Sequence, residues 1–178
     1  SLTAALTAAL RRKGLRVQTY KVGPDFLDPS YLSRISGRPC YNLDGWMMGK
    51  DHALGLFART SANADIAVIE GVMGLFDGSD PASLDGSTAQ IARWLCAPVV
   101  LVAEVHGMAR SLAALVKGFA GFEPGVSVTG VIANHCGSKR HQKHLAEALR
   151  TAGGPELFGA VPRGALPEFS SRHYSSGP

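Results

Sequence analysis

Several acidic residues of this chain stand where an apolar run gives way to glycine, an arrangement suited to phosphate chemistry. In Asp65-Ile66-Ala67-Val68-Ile69-Glu70-Gly71 the run delivers one carboxylate at its end, and Gly71 lets a ligand approach the backbone. A carboxylate fixed in that way holds, directly or through water, the magnesium ion that bridges nucleotide phosphates. Asp77 follows within Gly74-Leu75-Phe76-Asp77-Gly78, and glycines this dense are costly unless backbone has to be exposed. A second acidic loop, Lys21-Val22-Gly23-Pro24-Asp25-Phe26-Leu27-Asp28-Pro29, sets one cation and two carboxylates on a turn. Gly and Pro already dictate that turn, so an ordinary solvated loop accounts for the charges as well.

Further along, Glu104-Val105-His106-Gly107 again pairs an acid with glycine, and Asn134-His135-Cys136-Gly137-Ser138 ends an apolar run on an amide. An amide both donates and accepts, so Asn134 is able to read the edge of an adenine. Ser138, and Ser87 with Thr88 after Gly86, suit helix N-caps, although the latter pair is also placed to meet a substrate. His135, His141 and His144 with Lys139, Arg140 and Lys143 form a basic patch. No carboxylate or Cys completes a metal set there, so a solvated helix start is expected, with His106 facing solvent.

The elements that would position these residues alternate regularly. Hydrophobic patterning predicts helices over 2–13, 51–60, 87–95, 108–119 and 139–151, and strands over 15–21, 66–70, 99–103, 126–133 and 157–161, with an irregular stretch between the first strand and the second helix. Alternation of this kind builds a parallel sheet covered on both faces, and the almost wholly apolar strands suit its centre. Ligands in such sheets sit beyond the carboxyl ends of the strands, where the acids and the amide fall.

At 178 residues, with 46% hydrophobic and 18% charged residues, the chain fits one globular domain. No apolar run approaches the roughly 20 residues that cross a bilayer, and no signal-peptide pattern is present, so a cytoplasmic protein without a membrane partner is expected. The formal charge of +4 lacks the basic arm that tracks nucleic acid. Cys40, Cys96 and Cys136 are too few and too scattered for a zinc site or a disulfide scaffold.

Taken together, the Lys21 to Pro29 loop, Asn42-Leu43-Asp44-Gly45-Trp46-Met47, Glu70-Gly71-Val72-Met73-Gly74-Leu75-Phe76-Asp77-Gly78 and Gly130-Val131-Ile132-Ala133-Asn134 resemble the cobyrinic acid a,c-diamide synthase family. The likeness continues through Gly86-Ser87-Thr88-Ala89, Gly107-Met108-Ala109-Arg110-Ser111 and Val161-Pro162-Arg163, in the family's order and spacing. It implies an α/β fold with a doubly wound, mostly parallel sheet flanked by helices, the phosphate-loop NTPase fold related to dethiobiotin synthetase. It further implies that ATP phosphorylates the a- and c-side-chain carboxylates of cobyrinic or hydrogenobyrinic acid, and that ammonia from a glutamine amidotransferase domain displaces the phosphate. A homodimer is compatible with that role.

Mapped by motif, the resemblance implies that Glu70 and Asp25 serve Mg2+ and phosphoryl transfer, with Lys21 offsetting the charge of phosphate or substrate carboxylate. Asp28 and Asp77 would line the corrin carboxylate site, joined by Tyr31, Asn42 and Ser87. Asn134 would read adenine with Pro162 and Arg163 packed beside it. Leu32, Glu104 and His135 depart from the family's usual His, Asp and Arg. Residues 1–168 read as the ATP-binding synthetase domain without its phosphate loop, which is expected just ahead of Ser1-Leu2-Thr3. Residues 169–178 read as a tail or linker, and the amidotransferase domain is absent from this chain.

Other readings share parts of this chemistry. A dethiobiotin synthetase or another tetrapyrrole a,c-diamide synthase also activates carboxylates, and the Asn42 to Met47 motif favours the tetrapyrrole enzymes. A regulatory ATPase of the partitioning type would not require Asp25 and Asp28, and an inactive remnant is the remaining alternative.

Overall fold

Strand and helix alternate along residues 1–166, the part of the chain that the computed structural model describes. The order is α1 (Leu2–Arg12), β1 (Val17–Val22), α2 (Leu27–Ser36), β2 (Tyr41–Leu43), α3 (Gly49–Ser61), β3 (Ile66–Glu70), α4 (Thr88–Trp94), β4 (Val99–Glu104), α5 (Ser111–Phe122), β5 (Val128–Cys136), α6 (Lys139–Thr151) and β6 (Glu156–Pro162). The predicted elements all form, with ends displaced by a few residues, and the tail expected over 169–178 lies outside the described residues. No helix among the described residues is long and apolar enough to cross a membrane.

The stretch read as irregular contains two further elements, α2 and β2. Pro29 argues against a helix when it sits in an interior, yet here it occupies the first turn, where a backbone N–H has no helical partner to lose. Gly37 then closes α2 in the left-handed conformation at φ 70°. β2 is only three residues long, too short for its pattern to register.

All strands pair in parallel, but they form two sheets, β2-β1-β3 and β4-β5-β6, rather than one. β1 is buried along its whole length because it is central and covered on both faces. Thr19 meets Ser36 of α2, whereas the next residue, Tyr20, packs on Phe57 of α3 with ring centroids 5.0 Å apart and bonds Thr60. Its polar residues are satisfied within the fold. Gln18 donates to the Pro39 carbonyl at 2.7 Å and accepts from Arg38 at 2.9 Å, which removes the penalty of burying an amide.

At the amino end of this sheet, Asp65 accepts from the Arg16 backbone N–H and from its guanidinium, fastening the start of β3 to that of β1. The hydrogen bonds from Arg16 hold the Asp65 carboxyl down at about 2. The second sheet carries its own core, in which Leu112 and Val116 of α5 and Leu145 and Leu149 of α6 bury Val131 and Ala133 of β5.

Between the sheets, β3 and β4 face each other across a cavity of about 540 Å³. Ala67, Ile69 and Glu70 line one side, Val99 to Val102 the other, and α1, α4 and α5 contribute Leu2, Ile91 and Phe119. Val100 and Val102 remain 40% and 53% exposed there. Apolar strands with unpaired edges are unfavourable as an end state, and β3 and β4 present such edges to the slot.

Candidate active site

The parallel registers of β1, β2 and β3 set Asn42, Lys21 and Glu70 in one row across the carboxyl ends of the strands. Lys21 is buried, and its Nζ lies 2.9 Å from Asp28 Oδ2, 3.5 Å from Glu70 Oε2 and 3.0 Å from the Gly71 carbonyl. Two carboxylates against one ammonium leave a single formal negative charge, so the cluster remains attractive to a cation. Glu70 Oε1 accepts from the Ser1 hydroxyl at 2.9 Å, and Ser1 is the N-cap of α1. The amino end of a helix, with its exposed N–H groups and positive dipole end, therefore faces the same carboxylate.

Asp25 and Asp28 flank the start of α2. Asp25 Oδ1 accepts from the Leu27 and Asp28 N–H groups at 2.9 and 3.3 Å, which fixes the loop in front of the helix. Asn42 donates both to the Gly23 carbonyl at 2.9 Å and to the Asp25 carbonyl at 2.6 Å, so its amide holds the same loop from the other side. Tyr31 lies on α2 and is half exposed. Asp77 is exposed and accepts from the Gly74 N–H at 2.9 Å, closing a tight turn after β3.

That turn belongs to a segment, 71–87, that packs backbone against backbone. A Cβ on Gly78 would lie 2.3 Å from the Asp85 carbonyl and 3.0 Å from the Ser87 nitrogen. Gly78→Ala should therefore destabilise the domain by about 1–3 kcal/mol; an unchanged thermal midpoint would contradict this close packing. Ser87 is fully buried, accepts from the Gln90 N–H at 3.1 Å and donates to the Leu84 carbonyl at 2.7 Å. Both capacities of the hydroxyl serve the start of α4. Ser87→Ala is expected to cost about 1–2 kcal/mol with substrate KM unchanged, whereas a raised KM at full stability would give Ser87 to the substrate.

On the other side of the slot, Asn134 ends β5 opposite Glu104 of β4, and Cys136 pairs in register with Pro162 of β6. Asn134, Pro162 and Arg163 thus lie at the carboxyl ends of neighbouring strands. The His residues beside them are more engaged than a solvated helix start. His135, in the left-handed region at φ 55°, sets Nδ1 2.5 Å from Glu104 Oε2. His141 Nε2 donates to the Met108 carbonyl at 2.6 Å, which leaves Nδ1 to accept from the Gly137 N–H at 3.2 Å. These contacts stitch the loops after β4 and β5 together.

The three cysteines are free thiols, and burial pushes Cys40 up to about 11, so it is no ready nucleophile. Among the described residues no group of three or more His, Cys, Asp or Glu could hold a metal ion. Mg2+ does not need such a cage, because one or two carboxylates with waters and phosphate oxygens suffice. Glu70, facing a helix amino end and part of a net negative cluster, suits that mode, whereas Asp25 Oδ1 is engaged by the Leu27 and Asp28 N–H groups at the start of α2.

Three further residues support the site, although none was singled out for a role that its contacts now show. Ser1 was recognisable as an N-cap ahead of a helical run. Thr88, which holds the Val72 N–H at 3.0 Å, and the buried Asp44, which accepts from the Trp46 and Met47 N–H groups, act through contacts that only the fold creates.

The family described as CobQ/CobB/MinD/ParA nucleotide binding domain matches residues 1–174. A cobyrinate a,c-diamide synthase of Syntrophotalea carbinolica is 65% identical over 173 residues, covering 97% of this chain and 38% of the relative. Proteins of the same description from Leptospira interrogans and Methanosarcina barkeri are 46% and 43% identical, each over 97% of this chain and 37% and 36% of their own lengths. The chain therefore spans less than two fifths of the relatives it matches.

Proposed function

The chain belongs to the CobQ/CobB/MinD/ParA nucleotide binding domain family, and from that premise we propose that it is the ATP-using part of a cobyrinate a,c-diamide synthase. The observation that carries the reading is the buried Lys21 between Asp28 and Glu70, with the amino end of α1 facing Glu70. A nucleotide switch of the partitioning type has no use for the second carboxylate loop.

In the proposed reaction a side-chain carboxylate oxygen of cobyrinic or hydrogenobyrinic acid forms a bond to the γ-phosphorus of ATP, and the bond from that phosphorus to the β-bridging oxygen breaks to release ADP. Ammonia from glutamine then adds to the acyl carbon, and phosphate departs carrying the original carboxylate oxygen. Activation is needed because a carboxylate expels oxide only at prohibitive cost. Mg2+, when bound, would neutralise phosphate charge. Glu70 is the residue that would hold it, Lys21 keeps Glu70 and Asp28 in one orientation, and Asp28 and Asp77 orient the substrate edge.

Triphosphate binding calls for a cradle of backbone N–H groups at the α1 amino end. We assign the slot between β3 and β4 to a strand that leads into such a loop, with Asn134, Pro162 and Arg163 receiving the base. A glutamine amidotransferase domain would supply ammonia from outside residues 1–168.

The test is ADP release by the full-length protein with a corrin polycarboxylate and either glutamine or ammonium. Release is expected only when the corrinoid is present. A corrinoid-independent rate equal to the stimulated one would remove the synthetase reading.

A further inference from the structure

Four large apolar side chains stand out in water on one side of the acidic cluster. Phe26, Trp46, Met47 and Met73 are 83%, 75%, 73% and 74% exposed, and all line one cavity of about 880 Å³. Scattered exposed apolar residues need no explanation, but a contiguous set around a concavity does.

The set is held rigidly. Buried Asp44 accepts from the Trp46 N–H at 2.8 Å and the Met47 N–H at 3.1 Å, locking the turn that presents both. Gly45 presses that turn on α4, since a Cβ there would lie 2.1 Å from Gln90 Oε1 and 3.0 Å from the Trp94 ring. The facing wall, the loop with Phe26, is tied to β2 through Asn42 and through the Gly23 N–H, which donates to the Leu43 carbonyl at 3.0 Å. Met73 holds a left-handed backbone at φ 51°, which is unfavourable for a residue with a side chain, while its thioether projects outward. A fold that only needed to close this turn would place glycine there.

We propose that this surface is the seat for the flat apolar face of the macrocycle, with Trp46, Met47 and Met73 as its specificity-determining contacts; the inference rests on the substrate class proposed above. The cavity has the volume of a small-ligand pocket, about 300–1,000 Å³. No Lys, Arg or His is among its lining residues, so it is not built to grip a polyanion flat against it. Aromatic and thioether groups match a conjugated ring of low polarity. The same cavity includes Asp25 and Leu27, next in sequence to Asp28, so a ring seated on it lies beside the cluster of Lys21, Asp28 and Glu70.

The experiment titrates the full-length protein, loaded with a non-hydrolysable ATP analogue, with cobalt-free hydrogenobyrinic acid, whose ring carries no axial ligand on either face. Trp46→Ala and Met47→Glu should each raise the corrinoid Kd by about tenfold or more, Trp46→Phe should recover most of the loss, and affinity for the ATP analogue should not change. Both side chains are exposed, so folding is expected to be retained. Wild-type corrinoid affinity in both variants overturns the proposal while leaving the substrate reading in place, and is also the result expected if another part of the protein covers the patch. An unaltered protein that binds the ATP analogue but not the corrinoid overturns both.

Discussion

Glu70→Gln in the full-length protein should lower corrinoid-dependent ADP release by at least about a thousandfold while leaving the fold intact. The substitution keeps the shape of the side chain and removes only its charge. Glu70 meets two donors, the Ser1 hydroxyl and the Lys21 ammonium. The Gln carbonyl can still accept from Lys21, and the Ser1 hydroxyl can rotate to accept from the new amide N–H. Lys21 keeps Asp28 at 2.9 Å and the Gly71 carbonyl at 3.0 Å. What disappears is the negative charge that would hold Mg2+ at the carboxyl end of β3. Far-UV circular dichroism and the thermal midpoint should match the parent, and activity within tenfold of the parent would remove Glu70 from the chemistry.

Lys21→Met should be harmful in a different way. Methionine fills the stem of the lysine, so packing around β1 is largely retained and the ammonium alone is lost. Asp28 and Glu70 would then face each other without the cation between them, which leaves buried charge uncompensated. Removing one partner of a fully buried ion pair costs about 3–5 kcal/mol. Here the Asp28 side chain is 32% exposed and Glu70 is 16% exposed. Water shares the load, and a loss of about 2–3 kcal/mol in denaturant unfolding is the expected result, together with loss of ADP release because neither carboxylate keeps its orientation. A stability within about 0.5 kcal/mol of the parent, the scatter of surface substitutions, would show that Lys21 is not the organising charge.

Much of this was legible in the residues. Strands over 66–70 and 99–103 announced themselves as short apolar runs, the pattern of a strand buried on both faces, yet they stand at the edges of their sheets, with Val100 and Val102 exposed toward the slot. Lys21, Asp28 and Glu70 could be nominated because each follows or ends such a strand. Their relationship to one another could not, since it depends on the parallel register that sets Lys21 beside Glu70, nearly fifty positions apart. Lys21 was expected to offset the charge of phosphate or a substrate carboxylate; in the fold it also meets the protein's own carboxylates, a pairing that no local pattern encodes.

α2 stayed hidden because Pro29 looks like a helix breaker unless its position in the first turn is known. Asn42 and Ser87 illustrate the ambiguity of polar side chains at a sheet edge. Both satisfy backbone groups that hold the site in shape. Trp46 and Met47 drew attention only as parts of a motif, because exposure of a large apolar residue is a property of the folded surface.

The central claim is that a substrate carboxylate is phosphorylated before it is amidated. It is tested most directly by following the oxygen atoms: the corrinoid carboxylates are labelled with heavy oxygen, the full-length protein is given ATP and glutamine, and the inorganic phosphate is analysed by mass spectrometry. The account predicts one heavy-oxygen atom in phosphate for every amide formed, since the leaving phosphate takes the carboxylate oxygen with it. Amide formation accompanied by unlabelled phosphate would contradict it.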